Sequence, residues 1–215
     1  MVLAERWTLL VIDRPGYGRA PDVEREDFDV DAQLLADVLP EDAHLVGHSY
    51  GGVVSLLAAA RRPESVRSLT VSEPPAFGVA AGDPDVEALV AGLRGHWESG
   101  PREPEAFLRG FLQLVGSQIA LPSPLPPPLE RGARVLMTER APWEAEIPLA
   151  ELARAPFPKL VLSGGHHPAF DAVCDVLEDK LGAERAVITG AGHSVQRTGA
   201  PYNERLERFL RAAQA

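Results

Sequence analysis

Apolar positions in this chain fall into short unbroken runs and longer amphipathic stretches. Trp7–Asp13, "WTLLVID", is unbroken and ends at "RPGYG", which predicts a strand buried on both faces and closed by a Pro-Gly turn. Asp31–Leu39 places Leu34, Leu35, Val38 and Leu39 on one helical face, and Pro40 stops it. A short strand, His44–Val46, follows. Val53–Arg61 is apolar nearly all round and predicts a buried helix. Val66–Val71 is the next strand. Alternation of strand and helix predicts a parallel sheet covered by helices, an α/β doubly wound architecture.

The pattern then changes. From Pro84 to about Arg140 there is no strand signal, only the amphipathic stretches Val86–Trp97, Glu105–Val115 and Leu129–Glu139. Between the last two lies "LPSPLPPPLE", which is expected to run as extended polyproline. The region reads as a helical insertion within one domain spanning the chain. Strand and helix resume with Lys159–Ser163, Pro168–Leu181, Arg185–Thr189 and a helix around Asn203–Ala213.

Composition narrows the function classes. The 215 residues carry a formal net charge of −10, so nucleic acid and anionic membranes are disfavoured partners. Cys174 stands alone, which excludes an internal disulfide and fits a reducing cytoplasm. No apolar run reaches the roughly 20 residues of a membrane span, and "MVLAERWTLL" lacks the features of a signal peptide.

Candidate chemistry centres on "LVGHSYGG". Gly47-His48-Ser49-Tyr50-Gly51 is a G-x-S-x-G pattern, of which about 0.07 are expected by chance at roughly 7% glycine and serine. A strand before it and a helix after it are the setting of a nucleophile elbow, where a strained serine projects above the sheet. The competing reading is a serine that caps a helix or binds a phosphate. His193, in "ITGAGHS" after the last strand, is a candidate base, because imidazole titrates near neutrality. His48 is expected to pack behind the serine and His96 within the insertion. His166 and His167 are candidates for the pocket wall; as adjacent residues pointing opposite ways they make a poor metal site, and no metal or cofactor is expected.

"VIDRPGYGR", "LVGHSYGG", "LVLSGG" and "GAGHS", in this order, resemble the α/β-hydrolase fold family, specifically small hydrolases with a helical lid. The resemblance implies an eight-stranded sheet, a lid after the sixth strand, and a triad in the order Ser, acid, His. The family's usual aspartate position holds His167 instead, and an imidazole cannot stabilise the imidazolium formed at His193. Two carboxylates are open as the acid: Glu73 in "LTVSEPP", at the C-terminal end of a strand, and Asp171, in the first turn of the next helix. Glu73 is favoured.

The family also carries earlier strands and a His-Gly segment that supplies one oxyanion N–H. None precedes "LLVIDRPGYG" here, which leaves the Tyr50 N–H as the identifiable donor and makes the fold N-terminally shortened. "LAERWTLL" reads as the tail of a helix, which favours a longer natural chain over a genuine short form. The implied activity is hydrolysis of an ester or similar acyl bond of a small, partly apolar substrate. Carbon–carbon hydrolysis and perhydrolysis on the same residues are alternatives, as is a non-catalytic binding or scaffold protein. Trp97, Phe107, Phe111 and Trp143, with His48 and His167, are candidate substrate contacts. The aromatics are equally candidates for the core of the lid. Oligomeric state is left open.

Overall fold

A computed structural model describes residues 3–214. One sheet of four parallel strands forms its centre: β1 (Ala43–His48), β2 (Val66–Ser72), β3 (Lys159–Ser163) and β4 (Glu184–Val187), in the order β1-β2-β3-β4. Helix α1 (Phe28–Val38) precedes β1, and α2 (Tyr50–Arg61) joins β1 to β2. Between β2 and β3 lie α3 (Pro84–Ser99), α4 (Pro104–Leu114), α5 (Pro127–Leu136) and α6 (Leu149–Arg154). Helix α7 (Pro168–Leu181) joins β3 to β4, and α8 (Ala200–Ala212) closes the chain.

Strand side chains alternate between faces, so each strand feeds two cores. Leu45, Leu69, Val71 and Val161 join residues of α1, α2 and α7 in the larger core. Leu160 and Leu162 point the other way, against Tyr202, Leu206, Phe209 and Leu210 of α8. Helices therefore cover both faces, as the alternation predicted.

Three expectations are corrected. Trp7–Asp13 is not a strand. Trp7 packs toward α8 and meets His44 edge-on at 5.2 Å, but Leu9, Leu10, Val11 and Ile12 are 44–85% exposed. Apolar, β-branched sequence favours a strand only where a neighbour can take its backbone hydrogen bonds, and this segment pairs with none among the described residues. Among the described residues no strand pairs with the outer edge of β1, where Val46 is exposed. Secondly, the sheet of the described residues has four strands where the resemblance implied eight. Thirdly, the proline-rich stretch is helical from Pro127. Prolines in a first turn give up N–H groups that have no intrahelical acceptor anyway, so α5 starts at Pro127 and ends at Leu136, before the expected Glu139.

Candidate active site

The turn from β1 to α2 sets the site. Ser49 has φ 52° and ψ −130°, a conformation that ordinary residues rarely adopt. Its N–H bonds the Ser72 carbonyl at 2.9 Å, and its carbonyl accepts from Gly52 at 2.7 Å, so strand and helix together impose the strain. A side chain at Gly47 would collide with the Gly51 carbonyl and Ser55 Oγ, so glycine is required there. Gly51, by contrast, faces open space; the tight position on that side is Gly52, against Pro74.

Glu73 follows β2 and has φ 50°, so two of the three non-glycine residues with positive φ among the described residues, Ser49 and Glu73, belong to this site. The Glu73 N–H bonds the Leu162 carbonyl at 2.9 Å, which holds it across the ends of β2 and β3. Its side chain is fully buried. Oε1 accepts the Gly164 N–H at 2.5 Å, and Oε2 lies 3.2 Å from His193 Nδ1. His193 Nε2 lies 2.9 Å from Ser49 Oγ. The three residues singled out in sequence, from three separate loops, thus form one continuous chain of polar contacts. With Glu73 ionised, Nδ1 carries the imidazole proton and Nε2 offers its lone pair to the serine hydroxyl.

Burial dominates the electrostatics. Desolvation, followed by the neighbouring His166 and His167, lowers His193 to about 3, which keeps it neutral and able to accept a proton. Desolvation also raises Glu73 to about 7; Asp171 adds to this, while the Gly164 N–H, His166 and Arg185 oppose it. His48 is lowered to about 4, by desolvation and then by His193.

Asp171 is not brought to His193. It bonds Ser163 Oγ and pairs with Arg185 at 3.0 Å, in the first turn of α7. His48 lies against the His193 ring, 4.9 Å between centroids, and its Nε2 donates to the His193 carbonyl at 2.8 Å. His96 contacts the Phe107 carbonyl within the insertion.

Beside Ser49 opens a cavity of about 440 Å³. His48, Trp97, Phe111 and Trp143 line it, as does Tyr50, the residue after the serine. Phe107 instead lies buried behind Trp97, and His167 caps α7, accepting from the Ala169 N–H, outside the cavity wall. The Trp97 and Trp143 indole N–H groups are buried without a protein acceptor.

Residues beyond Ser49, His193 and Glu73 complete the picture. Phe170 packs on the His193 ring at 4.7 Å. His166, known from sequence only as a candidate for the pocket wall, sits beside Glu73, with Nδ1 3.7 Å from Oε2. Arg14, Tyr17 and Glu139 form a polar end of the cavity, and behind it Arg14 pairs with Glu26 and lies 3.6 Å from Asp31. No group of three or more His, Cys, Asp or Glu among the described residues is arranged to hold a metal ion, and none of their helices is long and apolar enough to cross a membrane.

Comparison with known families matches residues 2–206 to the alpha/beta hydrolase family. The pimeloyl-[acyl-carrier protein] methyl ester esterase of Chromobacterium violaceum is 36% identical over 125 residues, covering 55% of this chain and 47% of that protein. The protein of the same name from Klebsiella pneumoniae is 30% identical over 179 residues, covering 75% of this chain and 66% of that one. The chain thus spans about half to two thirds of the length of these relatives. Among solved structures, MenH from S. aureus superposes with a TM-score of 0.69 at 19% identity, over 95% of this chain and 83% of that one. NosK from Streptomyces actuosus gives 0.63 at 25% identity, over 98% and 88%.

Proposed function

The chain belongs to the alpha/beta hydrolase family, and from that premise we propose that it is a serine hydrolase cleaving an ester or similar acyl bond of a small, partly apolar substrate. The contact chain Ser49–His193–Glu73 carries the reading. Ser49 Oγ attacks the acyl carbonyl while His193 Nε2 takes its proton. Glu73 holds the Nδ1–H and stabilises the imidazolium. The oxyanion binds the Tyr50 N–H, which stands in the first turn of α2 without an intrahelical acceptor. His193 then protonates the leaving alcohol, and water repeats the sequence to release the acid.

The substrate class follows from the cavity. Trp97, Phe111 and Trp143 wall it with aromatic surface, in keeping with an apolar acyl chain under a helical lid. The relatives are named methyl ester esterases; a methyl or other small alkyl ester is the substrate proposed here. A serine at the elbow, in place of a carboxylate, argues against haloalkane and epoxide hydrolysis. A single cysteine fits a cytoplasmic setting.

The test is a panel of short-chain nitrophenyl and methyl esters assayed with wild type and Ser49→Ala. Turnover that disappears in the variant supports the proposal. Turnover equal in both, or absent from both, favours a binding protein that keeps the fold without the chemistry.

A further inference from the structure

We infer that His166 is a positioning residue, which fixes the Glu73 carboxylate for His193 and ties it to the end of the helical insertion. The inference rests on the reading of Glu73 as the acid of the site.

The geometry gives His166 two partners. Its Nε2 lies 3.0 Å from the Val115 carbonyl, and a carbonyl only accepts, so Nε2 carries a proton. Its Nδ1 is buried, without a hydrogen-bond partner, and faces Glu73 Oε2 at 3.7 Å. With Nε2 committed as a donor, the Nδ1 contact is attractive only when a proton lies between imidazole and carboxylate. At 3.7 Å this is an electrostatic contact between ring and carboxylate, longer than a hydrogen bond. A fully buried carboxylate is costly unless a cation or hydrogen-bond donors compensate it. The Gly164 N–H and His193 Nδ1 supply two donors, and His166 supplies the third contact.

Its other end reaches the insertion. Val115 caps α4, and Gly116, at φ +64°, passes so close to the His166 ring that a side chain there would collide with it. The Gly116 carbonyl accepts the His193 N–H at 3.3 Å. Ser117 bridges Gly192, and its Oγ lies 3.1 Å from Ser194 Oγ. The segment after α4 is therefore fastened both to the loop that carries His193 and, through His166, to the acid. The ring is held in plane by stacking on Phe170, 27° between planes.

The charged and titratable groups around His166 are Glu73, His193 and His167, with Asp171 and Arg185 acting on Glu73 from α7 and β4. A proton on His166 favours ionised Glu73. Its removal leaves the carboxylate more easily protonated.

The test compares wild type, His166→Phe and His166→Gln. His166→Phe is expected to lower kcat by about 10- to 100-fold with KM changed less than about twofold. Both variants are expected to move the acid limb of the pH profile up by about one unit, and glutamine, which keeps a donor for Val115, is expected to recover part of kcat. Wild-type kcat and an unmoved acid limb in both variants overturn the inference, as does a change in KM alone. Should the phenylalanine variant not fold, His166→Gln supplies the same limb. A second arm needs no turnover: in histidine side-chain nitrogen NMR, Glu73→Gln is expected to move the His166 Nδ1 resonance. An unmoved resonance overturns the pairing. Absence of wild-type turnover together with a moved resonance counts against the hydrolase proposal alone.

Discussion

Replacing Glu73 by glutamine exchanges one oxygen for an amide nitrogen and keeps the shape. The surroundings dictate how that amide sits. Gly164 donates its N–H to Oε1, so the glutamine oxygen must stay there and its NH₂ must face His193 Nδ1. Two donors cannot share that contact. The imidazole proton moves to Nε2, which then donates toward Ser49 Oγ, 2.9 Å away, where it should accept. A serine site with its histidine in the wrong tautomer loses about 10⁴ in kcat, or about 5 kcal/mol of transition-state stabilisation. Asp171→Asn is the matched control. Asp171 bonds Ser163 and Arg185 rather than His193, so about threefold or less is expected. The assay is kcat/KM on a short-chain nitrophenyl ester, with circular dichroism to confirm the fold of both variants. Glu73→Gln retaining more than about a tenth of wild-type kcat/KM, or Asp171→Asn losing as much as Glu73→Gln, refutes the reasoning.

Three more outcomes follow from the same geometry. Glu73 is raised to about 7 and must be ionised to support His193, so kcat/KM on an uncharged ester is expected to fall as pH drops through about 7; a limb set near pH 4 contradicts this. Burial, opposed by Arg14, raises Glu26 from 4.5 to about 8, so between those values the folded chain holds a proton that the unfolded chain has released. The contribution of Glu26 to stability is therefore full below pH 4.5 and is lost as pH rises from there through 8, and across that window thermal unfolding of Glu26→Gln should show a flatter pH dependence than wild type; parallel curves refute it. Gly47→Ala places a methyl against the Gly51 carbonyl and should destabilise the fold by about 1–3 kcal/mol while abolishing turnover, read by urea unfolding and ester assay; an unchanged midpoint contradicts the fit.

What sequence disclosed is what side chains alone encode. Lys159–Ser163 and Pro168–Leu181 fall where the apolar pattern put them, because both are packed on the sheet and periodicity reports burial. That Ser49, His193 and Glu73 lie together was foreseeable from the family resemblance, which pointed to a histidine after the last strand and left Glu73 or Asp171 as the acid, and from the C-terminal ends of strands, where a parallel sheet gathers its loops. The segment Trp7–Asp13 misled because apolar content says nothing of a hydrogen-bonding neighbour. The role here assigned to His166 was hidden for a related reason. Its partners are the Val115 carbonyl and a glutamate 93 positions upstream, and neither leaves a trace in local spacing. Phe107 and His167 were plausible cavity residues by type, yet packing turned one into the aromatic cluster and used the other as a helix cap.

The account's central claim is that Ser49 is a nucleophile activated by His193. Intact-protein mass spectrometry after treatment with a fluorophosphonate measures it most directly. One adduct is expected on wild type, mapping to Ser49, with none on Ser49→Ala and a strongly slowed rate on His193→Ala. An unlabelled wild type, or an adduct that persists in Ser49→Ala, contradicts the claim.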